Sequence, residues 1–176
     1  VSLAECVDGD TAKFYIIGKK ETVRFLAIDT PETKHPTKKE EPYGYEASNY
    51  TCNSLKKATK IELEYDEKAK RDKYNRILAW IFVDDILLQE SLINKGYAKV
   101  AYLYDEYIYT DILEKEEKEA KLKKVGRWSD GKAKKEIEEE TFFTLLTIGI
   151  GSLLFVFDKK FRKKQIRKIK RKKKNW

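Results

Sequence analysis

Along the first third of the chain, apolar and polar residues alternate with the period of a sheet. A short run over residues 2–7 comes first. Ala12-Lys13-Phe14-Tyr15-Ile16-Ile17 then stops at Gly18-Lys19-Lys20, and Thr22-Val23-Arg24-Phe25-Leu26-Ala27-Ile28 follows. This pattern predicts a strand and then a hairpin. Thr30-Pro31 ends the last run, and residues 34–42, with Pro36 and three lysines, read as a loop. The spacing then changes: Tyr43, Ala47, Tyr50, Leu55 and Ala58 recur near a helical period, predicting a first helix. Residues 60–65 and 76–83 are β-rich runs joined by a charged connection, and Asp84-Asp85 closes the second. A short helix is predicted over 86–94, stopped by Lys95-Gly96, and a third, heavily charged one over 110–124. Five short strands and three helices predict an α+β fold, mainly β: a small closed barrel with packed helices.

After Trp128 the character of the chain changes. Residues 131–140 are charged and read as a solvated linker. Residues 141–157 carry no charge and are dominated by Phe, Leu and Ile, with only Thr, Ser and Gly as polar relief. A core helix would show a polar face, so a transmembrane helix is predicted, near the lower length limit for a span. The tail, 158–176, holds 12 basic residues. A polybasic run beside a span keeps that end in the cytoplasm and binds anionic lipid, which places residues 1–140 outside the cell.

Net charge changes the picture only by its distribution. The formal +8 suggests nucleic acid or an anionic surface. However, residues 1–140 hold 26 Lys and Arg against 29 Asp and Glu, and residues 141–176 hold 12 against 1. Basicity thus belongs to the tail. A claim of nucleic-acid binding by the first segment has to rest on particular residues.

Two acidic turns are candidates for chemistry: Val7-Asp8-Gly9-Asp10-Thr11 and Ile28-Asp29-Thr30-Pro31-Glu32. Acidic pairs in turns are usually solvated. If the two turns converge, Asp10, Asp29 and the Thr30 carbonyl offer an all-oxygen set suited to a hard cation such as Ca²⁺. Glu32 would then lie beside that set, free to accept a proton from water. Arg24 stands in an otherwise apolar strand and Arg76 begins another; each is either an outward-facing, snorkelling side chain or an anion clamp. Paired guanidinium groups supply bidentate donors where charge builds up on phosphorus. His35, the single histidine, is expected to face solvent. Cys6 and Cys52 lack C-x-x-C spacing, which disfavours zinc; two free thiols are expected, with a disulfide as the alternative.

Six blocks occur in the order seen in staphylococcal nucleases. They are the Val7–Thr11 turn, the run from Val23 to Pro36, Tyr43-Gly44-Tyr45-Glu46-Ala47, Asp72-Lys73-Tyr74-Asn75-Arg76, Lys99-Val100-Ala101-Tyr102-Leu103-Tyr104, and Trp128-Ser129. Over residues 2–130 the chain therefore resembles that family. The resemblance implies an OB-fold barrel with three helices over residues 1–130 and Ca²⁺-dependent hydrolysis of DNA and RNA. It implies attack by water on phosphorus, leaving 5′-hydroxyl and 3′-phosphate ends. Residue by residue, it implies catalytic roles for Arg24, Glu32 and Arg76, and calcium ligation by Asp10, Asp29 and the Thr30 carbonyl with Asp8 nearby. It further implies phosphate binding by Lys73 and Tyr74, and a nucleotide pocket walled by Tyr102 and Tyr104, for which a strand-edge packing pair is the plainer reading. Asn75 departs from the family's usual glycine, and Asn tolerates positive φ. The uncharged span and basic tail have no counterpart in the secreted enzyme. Together these readings predict a monomeric, membrane-anchored extracellular nuclease; the alternatives are a tethered, non-catalytic nucleic-acid-binding module and a membrane-surface adaptor.

Overall fold

A computed structural model describes residues 1–33 and 41–129. His35 and most of its loop, the linker at 131–140, the span at 141–157 and the basic tail lie outside the described residues. Among the described residues, no helix is long and apolar enough to cross a membrane.

Three strands build the first half of the sheet: β1 (Ser2–Cys6), β2 (Thr11–Ile16) and β3 (Lys19–Phe25). Ile16 pairs with Lys19, so the hairpin loop is Ile17-Gly18 rather than the expected Gly18-Lys19-Lys20. Both loop residues have positive φ, 48° and 75°. Backbone twist explains this, because a two-residue loop of that kind matches the twist of its flanking strands. The run expected to continue through Ile28 breaks at Ala27, whose φ is 60°. The chain then forms β4 (Ile28–Asp29), which leaves the main sheet.

Beyond the loop, α1 (Gly44–Lys56) buries Gly44, Ala47, Thr51 and Leu55 on one face at helical spacing. β5 (Ile61–Glu64) and β6 (Ile77–Val83) follow as expected, but Ile86–Leu87 forms a two-residue strand, β7, paired with β6. The second helix, α2 (Leu88–Asn94), therefore starts later than the periodicity implied. β8 (Lys99–Val100) pairs antiparallel with β4, and α3 (Thr110–Lys123) follows, with a short 3-10 turn at Gly126–Trp128 after it.

The main sheet runs β1-β2-β3-β6-β5 as a curled half-barrel, with β7 on β6 and the pair β4-β8 apart. Its five long strands match expectation; β4, β7 and β8 are too short to leave a periodic signal. The two ends of the curl meet where the Val1 nitrogen donates to the Ile61 carbonyl at 3.1 Å. Phe14, Phe25, Trp80 and Phe82 are buried in the sheet, α2 packs against β6 with Leu92 buried, and α3 packs against α2 with Leu113 buried. Tyr109 stacks edge-on to Trp80 at 5.2 Å and donates its hydroxyl to Glu64 at 3.0 Å. Burial, then the Glu64 charge, holds this phenol protonated far above the usual tyrosine range.

The expectation of free thiols is overturned: Cys6 and Cys52 form a disulfide joining β1 to α1. Sequence spacing could not reveal it, because the pairing depends on α1 packing beside β1, two elements 46 residues apart at the cysteines. In a chain-entropy account, closing a loop of that length stabilises the fold by about 4 kcal/mol.

Candidate active site

Strand pairing decides where the two arginines go. β3 and β6 run parallel with Val23 opposite Ile77 and Arg24 opposite Leu78. Side chains alternate along a strand, so Arg76, two residues before Leu78, shares the face of Arg24. Both line one open cleft of about 710 Å³.

Arg24 is no snorkelling side chain. Only 9% exposed, it donates from Nη1 to the Phe25 and Ile28 carbonyls at 3.0 and 2.9 Å. Its Nη2 contacts Asp10 Oδ2 at 3.0 Å and Asp29 Oδ1 at 3.6 Å. The break at Ala27 makes this possible, since it turns residues 28–30 back over the Asp10 turn. Asp10 Oδ2 also accepts hydrogen bonds from the backbone nitrogen and hydroxyl of Thr30, at 2.9 and 3.0 Å, and Oδ1 accepts one from the Thr11 hydroxyl. The two acidic turns thus converge. Burial pushes the Asp10 carboxyl up to about 6 against the pull of Arg24. Asp8 lies close by, its Oδ1 accepting from the Asp10 nitrogen at 3.0 Å.

Two glycines allow α1 to approach these turns. A Cβ on Gly9 would fall 2.7 Å from Thr30 Oγ1 and 2.9 Å from Ala47 Cβ. One on Gly44 would fall 2.9 Å from the Pro31 carbonyl oxygen and 3.0 Å from that of Glu32. Beyond this close approach, the Glu32 side chain lines the cleft, is exposed, and bonds to no described residue.

Across the cleft, Arg76 donates from Nε to Asp72 Oδ2 at 2.7 Å and from its backbone to Asp72 Oδ1 at 2.9 Å. Desolvation of Asp72 opposes its ionisation, but these bonds from Arg76 outweigh it and hold the carboxyl below its ordinary range. The Arg76 terminal nitrogens bond to no described residue. Asn75 has φ 64°, the turn conformation for which the sequence departure was expected to be tolerated. Tyr74 is 68% exposed, with Arg76 5.5 Å and the Lys73 ammonium 5.0 Å from its ring centre. On the other side Tyr102, at φ 59°, lies 5.5 Å from the Arg24 guanidinium and donates to Asp29 at 3.3 Å. The Asp29 charge, and then desolvation, raises the Tyr102 phenol. Tyr104 is 84% exposed, its ring 6.4 Å from that of Tyr102. The two rings thus lie beside each other on the rim of the cleft.

Every candidate residue reaches the cleft except Thr30, which holds Asp10 from behind. Sequence reasoning missed Lys99, whose ammonium is 3.3 Å from Asp29 Oδ2 because β8 pairs it directly opposite Asp29. It also missed Arg127, which donates to the Asp29 carbonyl at 3.4 Å across 98 residues. Neither carries a local signal. Among the described residues, no three His, Cys, Asp or Glu side chains cluster as a metal site. Asp10 and Asp29 both reach Arg24 Nη2, and their carboxylates are the hard oxygen donors that a cation such as Ca²⁺ would need there.

Residues 22–130 match the family model described as "Staphylococcal nuclease homologue". This chain belongs to that family. It is 45% identical over 130 residues to "Endonuclease YncB" of Bacillus subtilis, covering 73% of this chain and 61% of that protein. It is equally identical to "SPbeta prophage-derived endonuclease YokF" of the same species, covering 44% of that protein. Against the "Thermonuclease" of Staphylococcus hyicus it is 36% identical over 124 residues, covering 70% of this chain and 72% of the relative. The chain thus spans about three fifths and under half of the two Bacillus relatives. Within this staphylococcal nuclease homologue, Asp8 and Asp10 precede the stretch matched by the family model.

Proposed function

We propose that this chain is a Ca²⁺-dependent nuclease that hydrolyses phosphodiester bonds of DNA and RNA, with water as nucleophile and 5′-hydroxyl and 3′-phosphate products. One observation carries the reading: Arg24 and Arg76 stand on one face of the sheet and line one cleft with Glu32, while Tyr74, Tyr102 and Tyr104 form its exposed rim. The names of its relatives, endonuclease and thermonuclease, point the same way.

In this reading Asp10, Asp29 and the Thr30 carbonyl hold Ca²⁺, which when bound offsets phosphate charge and polarises the phosphoryl group. Glu32 takes a proton from the attacking water, a role suited to an exposed carboxylate with no bond to a described residue. Arg76 offers its free terminal nitrogens to the equatorial oxygens, and Arg24, held by two carbonyls and two carboxylates, adds a fixed positive charge. Lys73 and Tyr74 receive a neighbouring phosphate. Tyr102 and Tyr104 present faces to a base, and because any base has a π-face, sequence preference is weak. Cleavage of plasmid DNA and of RNA is expected to stop in excess Ca²⁺ chelator and return on adding Ca²⁺. Undiminished cutting in chelator would exclude the metal's role.

We also propose that residues 141–157 anchor the enzyme in the cell membrane, with residues 1–140 outside and the basic tail on anionic lipid inside. The uncharged run followed by 12 basic residues supports this. The full chain is expected to sediment with membranes and to lose that behaviour when residues 141–176 are removed. A truncated chain that still sediments would refute the anchor.

A further inference from the structure

The disulfide lies beside the site without lining it. Cys6 ends β1, and the turn immediately after it carries Asp8, Gly9 and Asp10. Its partner Cys52 sits on α1 next to Thr51, whose buried hydroxyl donates to the Gly9 carbonyl at 2.7 Å. The turn thus has two attachments to α1, one covalent at its start and one hydrogen-bonded at its middle. Gly9 is also pressed between Thr30 and Ala47, with no room for a side chain.

The N-terminal end of the same helix meets the other acidic turn. Gly44 approaches the Pro31 and Glu32 carbonyls, and the Glu41 nitrogen donates to the Glu32 carbonyl at 3.2 Å. Consequently α1 backs both segments that bring oxygen donors together: residues 8–10 through Thr51 and Cys52, and residues 30–32 through Gly44. The Cys6–Cys52 bond is the covalent link between that backing and the sheet.

We infer that the Cys6–Cys52 disulfide is a positioning element of the cation site, and that thiols weaken cation binding by opening it while the fold persists. The inference rests on the calcium reading given under Proposed function. Both cysteines are half-buried and so within reach of a small reagent. A dithiol supplies the two electrons and two protons: its thiolate attacks one sulfur, the Cys6–Cys52 bond breaks, and a second exchange leaves two cysteine thiols and an oxidised, cyclic reagent. The Thr51–Gly9 hydrogen bond is then the turn's remaining bond to α1, and Asp10 loses part of its pre-organisation. Loss of a group that orients a metal ligand typically weakens affinity about 10- to 100-fold.

The test compares the oxidised full chain with the same chain reduced by dithiothreitol, and with the Cys6→Ala/Cys52→Ala double variant. Calcium affinity is read by calorimetry, thiols by a chromogenic disulfide reagent, and fold by far-UV circular dichroism. The expected result is a Kd raised about 10- to 100-fold in both the reduced and double-variant proteins, with unchanged dichroism. An unchanged Kd with both thiols titrating would overturn the inference alone. Loss of the dichroism signal on reduction would overturn it too, because the bond would then be a staple of the whole fold. Should the oxidised chain bind no calcium, the calcium reading itself fails and the inference with it.

Discussion

Arg76→Ala is expected to lower phosphodiester cleavage at least about 10²-fold while leaving the domain folded, the loss typical of removing one charged donor to a transition state. The structure gives the reason for separating those two effects. Arg76 uses Nε and its backbone nitrogen on Asp72, and both anchor a surface turn rather than the core. Its terminal nitrogens hydrogen-bond to no described residue, which leaves them free for the phosphate beside the Tyr74 ring. Glu32→Gln should behave similarly, since its exposed carboxylate supports no described contact and the amide cannot take a proton. Steady-state cleavage rates and thermal unfolding curves check both variants. Rates equal to the parent in both would remove these residues from the mechanism.

Arg24→Ala should differ in kind, losing stability along with activity. Here the guanidinium is buried, saturates two backbone carbonyls and stands between two carboxylates. Its removal leaves the buried Asp10 carboxylate without its cation, while Asp29 keeps Lys99, and breaking a buried pair in this way costs about 3–5 kcal/mol. Part of that loss should return when Ca²⁺ is added, because a divalent ion supplies the missing positive charge between the same oxygens. Denaturant unfolding with and without Ca²⁺ measures both effects. A variant as stable as the parent without Ca²⁺ would show that the buried contacts of Arg24 contribute nothing.

How much of this was legible in the sequence follows from what each signal can carry. The long strands and α1 announce themselves through apolar periodicity, because each buries one face over several residues, whereas the charged α3 is marked by its composition and the glycine that follows it. β4 and β8 pair over two residues each and leave no pattern, yet they place Lys99 opposite Asp29. The break at Ala27 is equally silent. Alanine carries no turn signature, and only the pairing of Leu26 with Ala79 and of Ala101 with Ala27 shows why the chain bends there. For the same reason Arg24 could be read from its strand alone as outward-facing, whereas the bend encloses it. Site residues stood out as blocks similar to a known family, each gathered around a turn; their convergence depended on contacts no block contains, such as Thr30 to Asp10. Cys6 and Cys52 were misread because their partnership is set by helix docking rather than by spacing.

End analysis of the products is the most direct test of the central claim. A labelled DNA or RNA oligonucleotide would be cut by the purified full chain in Ca²⁺, and the new termini identified by their response to phosphatase and to polynucleotide kinase. Attack of water on phosphorus with departure of the 5′ oxygen predicts 3′-phosphate and 5′-hydroxyl ends. Fragments bearing 5′-phosphate and 3′-hydroxyl ends, or an oligonucleotide left intact, would contradict the account.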